Sequence, residues 1–212
     1  MEKTQMKFYS IWFSALIILV FILQLMIEGF TDFFMLTENA LGMPWQFLTA
    51  VFLHGSLTHL LYNLFALVLF GLILEKIIGS KRFLWLFILS GIFANIISFW
   101  WYPNALGASG AIMAIIGSLA ALRPMMIVWA FNLPMPMFVL AIIWVAGSIL
   151  GIFGFGDQGT GHLAHLSGLF IGVIYGLFLR LKYVKNYTVF ESKRVVIPED
   201  YMRDWEDSHI RR

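Results

Sequence analysis

Four short strings in this chain carry side chains able to do chemistry together. The first is Gly107-Ala-Ser109-Gly110, a serine at a glycine-flanked junction before an apolar run. A serine hydroxyl there can act as a nucleophile. The N–H groups of the helix start beside it can face a developing oxyanion. The same serine would also make an ordinary helix N-cap. The second is His162-Leu-Ala-His165, with Gly168, Gly172 and Gly176 following. An imidazole is the usual base for a serine, but a buried histidine bonded to a backbone carbonyl reads the same way. The third is His59 and Asn63, four apart and so on one helix face. Their N–H groups could converge on an oxyanion or could tie two helices together. The fourth is His54, five residues before His59.

These residues sit in a chain built for lipid. Of 212 residues, 60% are hydrophobic and only 12% charged, with a mean hydropathy of +0.85. Soluble domains are about half apolar and about a quarter charged, so one soluble core of this size cannot absorb the excess. With no cysteine, a disulfide framework, a thiolate nucleophile and a Cys-ligated metal are all excluded. Six apolar stretches are expected to be helices: Phe8–Ile27, broken only by Gln24, then about His59–Ile78, Phe83–Trp101, Ser109–Leu122, Met137–Phe155 and Gly161–Leu181. The first is too long for a cleaved signal and reads as an anchor. All 14 Lys and Arg fall before the first stretch, at the end of the second or between it and the third, between the fourth and fifth, or at the end of the sixth or after it. The other side carries Glu28, Asp32, Glu38 and Asp157 and no basic residue. The positive-inside rule then predicts six spans with both termini cytoplasmic. Residues 1–181 form the expected membrane domain and 182–212 a short charged cytosolic tail.

The fourth stretch is short. Its 14 residues, Ser109–Leu122, make a helix of roughly 21 Å against a hydrocarbon core of about 30 Å. Counted outward from Arg123, Ser109 falls below the outer surface. Residues 101–108 must then dip in as irregular backbone, which is tolerated only where protein or water satisfies it. The starts of helices two, four and six share the outer side, so His59/Asn63, Ser109 and His162/His165 converge at one depth. The three glycines on the His165 face match a small-residue stripe of Gly110, Ala114, Gly117 and Ala121, so the two helices can approach closely. His165 comes down beside Ser109 in that packing, and His162, one turn outward, lines the cavity. Asp157 lies in an outer loop and Glu75 at the far end of helix two, so a Ser109–His165 dyad is expected rather than a triad.

Together these strings resemble the rhomboid family of intramembrane serine proteases. The matching residues are Trp45-Gln-Phe, His54-Gly-Ser-Leu-Thr-His59-Leu-Leu-Tyr-Asn63, Glu75-Lys-Ile-Ile-Gly79, Gly107-Ala-Ser109-Gly110 and Ala164-His165-Leu-Ser-Gly168-Leu-Phe-Ile-Gly172. The resemblance covers about residues 8–181 and implies an all-α, six-transmembrane-helix rhomboid-like bundle. It further implies Ser109 as nucleophile, His165 as general base, and His59 and Asn63 as oxyanion donors beside the Ser109 N–H. No cofactor or metal is implied. The implied partners are transmembrane protein substrates, cut near their outer end, and membrane lipid, not nucleic acid. The expected location is the cell membrane. Two positions depart from the family. Gln46 stands where an arginine is common, which removes a charge and is expected to loosen the 28–58 loop. Met113 stands where some members carry a ring that stacks on the catalytic histidine.

Two other functions fit parts of the pattern. A rhomboid-like protein that binds membrane-protein clients without cutting them would need neither Ser109 nor His165, and both are present. A zinc protein using His54, His59, His162 and His165 would lack both a His-Glu-x-x-His string and an intramembrane carboxylate.

Overall fold

The computed structural model describes residues 6–102, 104–130, 132–155 and 160–191. Eight α-helices follow one another among these: α1 (Tyr9–Met26), α2 (Phe30–Phe34), α3 (Gln46–Thr49), α4 (Leu57–Ile78), α5 (Ser80–Phe99), α6 (Ser109–Leu122), α7 (Met137–Ile152) and α8 (His162–Glu191). Six of them overlap the six apolar stretches, with α4 and α5 starting at Leu57 and Ser80, earlier than expected. Four, namely α1, α4, α5 and the His162–Lys182 part of α8, are long and apolar enough to cross a membrane, while α6 and α7 are shorter apolar helices. The expected bounds of the short fourth helix match α6 to the residue. The last helix continues beyond 181 to Glu191, and the rest of the expected tail, 192–212, lies outside the described residues. The chain divides into two compact units, Met1–Phe178 and Leu179–Arg212. The second begins with the last turns of α8.

Several helix ends have an identifiable cause. In α1 the first turn is closed from a distance: Tyr9 N–H and Ser10 N–H donate to the two carboxylate oxygens of Glu75 at 2.9 and 3.0 Å, and the Ser10 hydroxyl donates to the same group at 3.0 Å. Glu75 is fully buried. A carboxylate at this end satisfies orphan amides and faces the positive pole of the helix. The N-cap of α4 is Ser56, whose hydroxyl accepts from His59 N–H at 3.1 Å. Gly79 ends α4 at φ 86°, a conformation favouring glycine, and α5 begins at the next residue. Pro136 precedes α7.

Two features were not foreseen. Two short strands, β1 (Ile127–Ala130) and β2 (Leu133–Pro136), pair antiparallel, Ile127 with Pro136, and Asn132 lies between them at φ 61°. The long 28–58 loop carries α2, α3 and a 3-10 turn at Ala50–Phe52. Gln46 does not leave this loop loose. Its buried amide oxygen accepts from Thr37 N–H and hydroxyl at 3.1 and 2.8 Å, and its NH2 donates to the Phe33 carbonyl at 3.2 Å. A neutral amide thus satisfies both partners without burying a charge. Thr49 adds a bond to the Phe34 carbonyl at 2.7 Å, and Trp45 stacks on Phe33 at 5.4 Å.

Within the first unit α6 is the core helix: every residue from Gly110 to Leu119 is buried. It packs on α4, α5 and α7. Against α8 the contact is backbone to backbone. Gly168, Gly172 and Gly117 face the Gly110, Ala114 and Leu169 carbonyls so closely that no side-chain carbon fits, and the Ser118 hydroxyl donates to the Gly172 carbonyl at 3.0 Å.

Candidate active site

The segment before Ser109 is irregular backbone held by protein. Leu36 and Ala105 exchange two N–H···O bonds, both 3.0 Å, and Gly107 N–H donates to the Ala50 carbonyl at 2.8 Å. Asn95 of α5 donates to the Phe47 carbonyl at 2.9 Å. The 28–58 loop therefore supplies partners that this backbone needs away from water. Gly107 turns at φ 128°, and a side chain there would also meet the His59 ring, 3.0 Å from Nε2 and 3.8 Å from Ser109 Oγ. His59 and Ser109 thus flank one glycine.

Ser109 is the first residue of α6. The N-cap is Ala108, and no side chain caps the helix. The N-cap reading of Ser109 is therefore not the one adopted, and its half-buried hydroxyl is not spent on a cap. His165 is buried in α8. The residue before it, Ala164, holds its carbonyl 3.6 Å from where a Gly110 side chain would begin, and Gly168 meets the Gly110 carbonyl. The turn carrying His165 is thereby pressed on the residue that follows Ser109. Among the described residues the imidazole is hydrogen-bonded neither to Ser109 nor to a backbone carbonyl. Its ring contacts are Trp144 of α7, edge-on at 6.2 Å, and His162 at 6.4 Å. Catalytic hydrogen bonds commonly tighten only when substrate is bound.

Asn63 is buried and donates to the His59 carbonyl, one turn back in its own helix, at 2.8 Å. That bond stays within α4 rather than joining two helices. It takes one of the two amide N–H groups and fixes the side chain against the turn carrying His59. His162 lies across Gly151 of α7, where its ring fills the space of the missing side chain. The expected acid-free arrangement meets Glu75 engaged at the start of α1, while Asp157 lies outside the described residues.

Two contributors, Trp144 and Tyr102, were missed in the sequence, and His54 and Gln24 were seen without their partners. Trp144 gives His165 the aromatic neighbour that Met113, buried in α6, does not provide as a ring. Tyr102 accepts from Leu163 N–H at 3.3 Å, joining the segment before Ser109 to the first turn of α8. His54 is fully buried, its ring 4.9 Å from that of His59, and among the described residues neither ring nitrogen meets a partner in good hydrogen-bond geometry. Burial first, and His59 second, hold its pKa at about 4 against an ordinary 6.5. Gln24 grips the His54 backbone from α1, accepting from its N–H at 3.0 Å and donating to its carbonyl at 3.2 Å. The polar residue that interrupts the first apolar stretch thus has a structural partner, which a periodicity argument cannot supply.

Comparison with known proteins follows the same residues. The pattern defining the Rhomboid domain matches residues 41–182, from before Gln46 to beyond His165. The chain is similar to the rhomboid protease GlpG of Haemophilus influenzae, 30% identical over 184 residues that span 82% of this chain and 91% of that protein. It is similar to the rhomboid protease GluP of Bacillus subtilis, 39% identical over 121 residues, 52% of this chain and 24% of that one. Rhomboid-like protein 11, chloroplastic, of Arabidopsis thaliana is 34% identical over 145 residues, 61% of this chain and 50% of that one. The chain thus spans half or less of the last two. A domain match over most of the chain, with several long apolar helices, identifies this multi-pass membrane protein as a member of the Rhomboid family.

Proposed function

We propose that the protein is an intramembrane serine endopeptidase that cuts transmembrane protein substrates near the outer face by a Ser109–His165 dyad. The observation that carries this reading is the seating of the His165 turn on Gly110, with His59 and Ser109 on either side of Gly107. Six spans with both termini on the basic side are part of the proposal, as is a charged tail from 182. So is the cell membrane as location, against relatives whose names place them in chloroplasts and mitochondria.

In this mechanism neutral His165 takes the Ser109 proton as Oγ attacks the scissile carbonyl carbon. The carbonyl oxygen becomes an oxyanion and accepts from Ser109 N–H, the Asn63 amide and the His59 ring. His165 then gives its proton to the departing amine as the C–N bond breaks. Water, with His165 again as base, hydrolyses the acyl-enzyme. In this proposal the serine, at the start of the short α6, lies below the outer surface, and water reaches it through a pocket open outward.

The test is labelling of the detergent-solubilised protein with a serine-reactive fluorophosphonate, wild type against Ser109→Ala and His165→Ala. Labelling of the wild type alone is expected. An unlabelled, folded wild type would turn the reading toward a family member that binds membrane-protein clients without cutting them.

A further inference from the structure

Two ridges of α5 and one face of α8 border a cavity of about 610 Å³ whose lining includes none of the candidate active-site residues. Lys81, Trp85, Leu89 and Phe93 follow one another at i, i+4 spacing along α5, with Arg82, Leu86 and Ser90 on the adjacent ridge. Ile171 and Tyr175 close the groove from α8. Its walls are almost wholly apolar: the Ser90 hydroxyl is turned back on the Leu86 carbonyl at 2.6 Å. Both basic residues stand at one end, in the first turn of α5, where the helix dipole also favours an anion.

The length of this groove is informative. From Lys81 to Phe93 is twelve residues of helix, roughly 18 Å at about 1.5 Å per residue. One leaflet of a bilayer contributes about half of the roughly 30 Å hydrocarbon core. An apolar channel one leaflet deep, with two cations at its mouth, has the shape and charge of a phospholipid seen side on. Long basic side chains at a helix end also reach toward the headgroup level, and basic pockets between spans hold anionic headgroups. We propose that the α5–α8 groove is a binding site for an anionic glycerophospholipid, with one acyl chain along Trp85, Leu89 and Phe93 and the phosphate at Lys81 and Arg82.

Trp85 is half exposed at the groove and serves as the reporter. The full-length protein is placed in phosphatidylcholine bilayers containing either phosphatidylglycerol or phosphatidylcholine brominated on the acyl chain. Emission lost in wild type but not in Trp85→Phe is assigned to Trp85. Brominated phosphatidylglycerol is expected to half-quench it at a mole fraction about fivefold lower per basic residue engaged. The preference should vanish in the double variant Lys81→Gln/Arg82→Gln. It should also vanish in Ile171→Trp/Trp85→Tyr/Leu89→Trp, read by its own groove tryptophans, where bulk replaces the channel but the cations remain. Equal quenching by the two lipids in the wild type overturns the site. A preference that survives filling the groove overturns it too, since surface charge alone would then suffice. Neither outcome bears on Ser109.

Discussion

Gly168 of α8 sits against the carbonyl of Gly110 in α6, the residue next to Ser109. The obstacle to a side chain at 168 is backbone, which cannot rotate aside. Overpacking of this kind costs about 1–3 kcal/mol or more. Gly168→Val is therefore expected to lower the thermal midpoint and to separate His165 from Ser109, so that activity falls more steeply than stability. Gly147 of α7 is the contrast: nothing lies within 4 Å of a side chain there. Gly147→Ala should be neutral or gain about 0.5–1 kcal/mol. Equal destabilisation by both, measured by thermal denaturation in detergent, would contradict the close approach of α6 and α8.

Ser109→Ala and His165→Ala are each expected to reduce cleavage of a reconstituted transmembrane substrate by at least about 10³-fold, with no large change in thermal midpoint. His162→Ala should lose far less, because its ring lies across Gly151 while the turn carrying His165 packs on Gly110. Comparable losses for the two histidines would show that the base had been assigned to the wrong one.

Removing an oxyanion donor typically costs about 10²–10³ in rate. Asn63→Ala is expected to lower kcat by somewhat less, since Ser109 N–H and His59 remain. Asn63 also holds the His59 turn through its own bond, so stability is measured alongside. A variant whose midpoint shifts while kcat is unchanged would assign Asn63 to folding alone.

His54 carries a pH dependence. Its imidazole stays neutral in the folded protein down to about pH 4, whereas the unfolded chain takes up the proton near 6.5. Its contribution is fully present above pH 6.5 and is lost as pH falls toward 4, on the order of 3 kcal/mol. The thermal midpoint of the wild type should drop across this window, and His54→Phe, which has a ring but no proton to bind, should flatten the drop. Parallel curves for the two proteins would refute it.

Under the proposed function a membrane substrate approaches Ser109 sideways from lipid, so one wall has to move, and α7 is the expected one. The glycine-rich link to α8 spans 154–161, of which 156–159 lie outside the described residues. The contact of α7 with α8 through Gly151 and His162 is one that opening would break. Cysteines introduced in the outer halves of α4 and α7 of this cysteine-free chain allow a crosslink. Crosslinking is expected to slow cleavage of membrane substrates well beyond its effect on reaction with a small water-borne phosphonate. Equal inhibition of both would indicate a distorted site instead.

The sequence by itself determined the helices and the grouping of the polar residues. Apolar length, charge placement and glycine spacing are local or periodic properties, so α6 could be bounded at Ser109–Leu122 and its glycine stripe set against that of α8 from residue types alone. Only the tertiary structure showed which hydrogen bonds particular polar side chains make. Ser109 is not the N-cap because Ala108 is, and Asn63 bonds within its own helix. Gln46 closes a loop it was expected to loosen. Trp144, Tyr102 and Gln24 reach their partners across 21, 61 and 30 residues of sequence. Such contacts depend on how distant segments pack, and a hydrogen bond between them leaves no period in the chain to read.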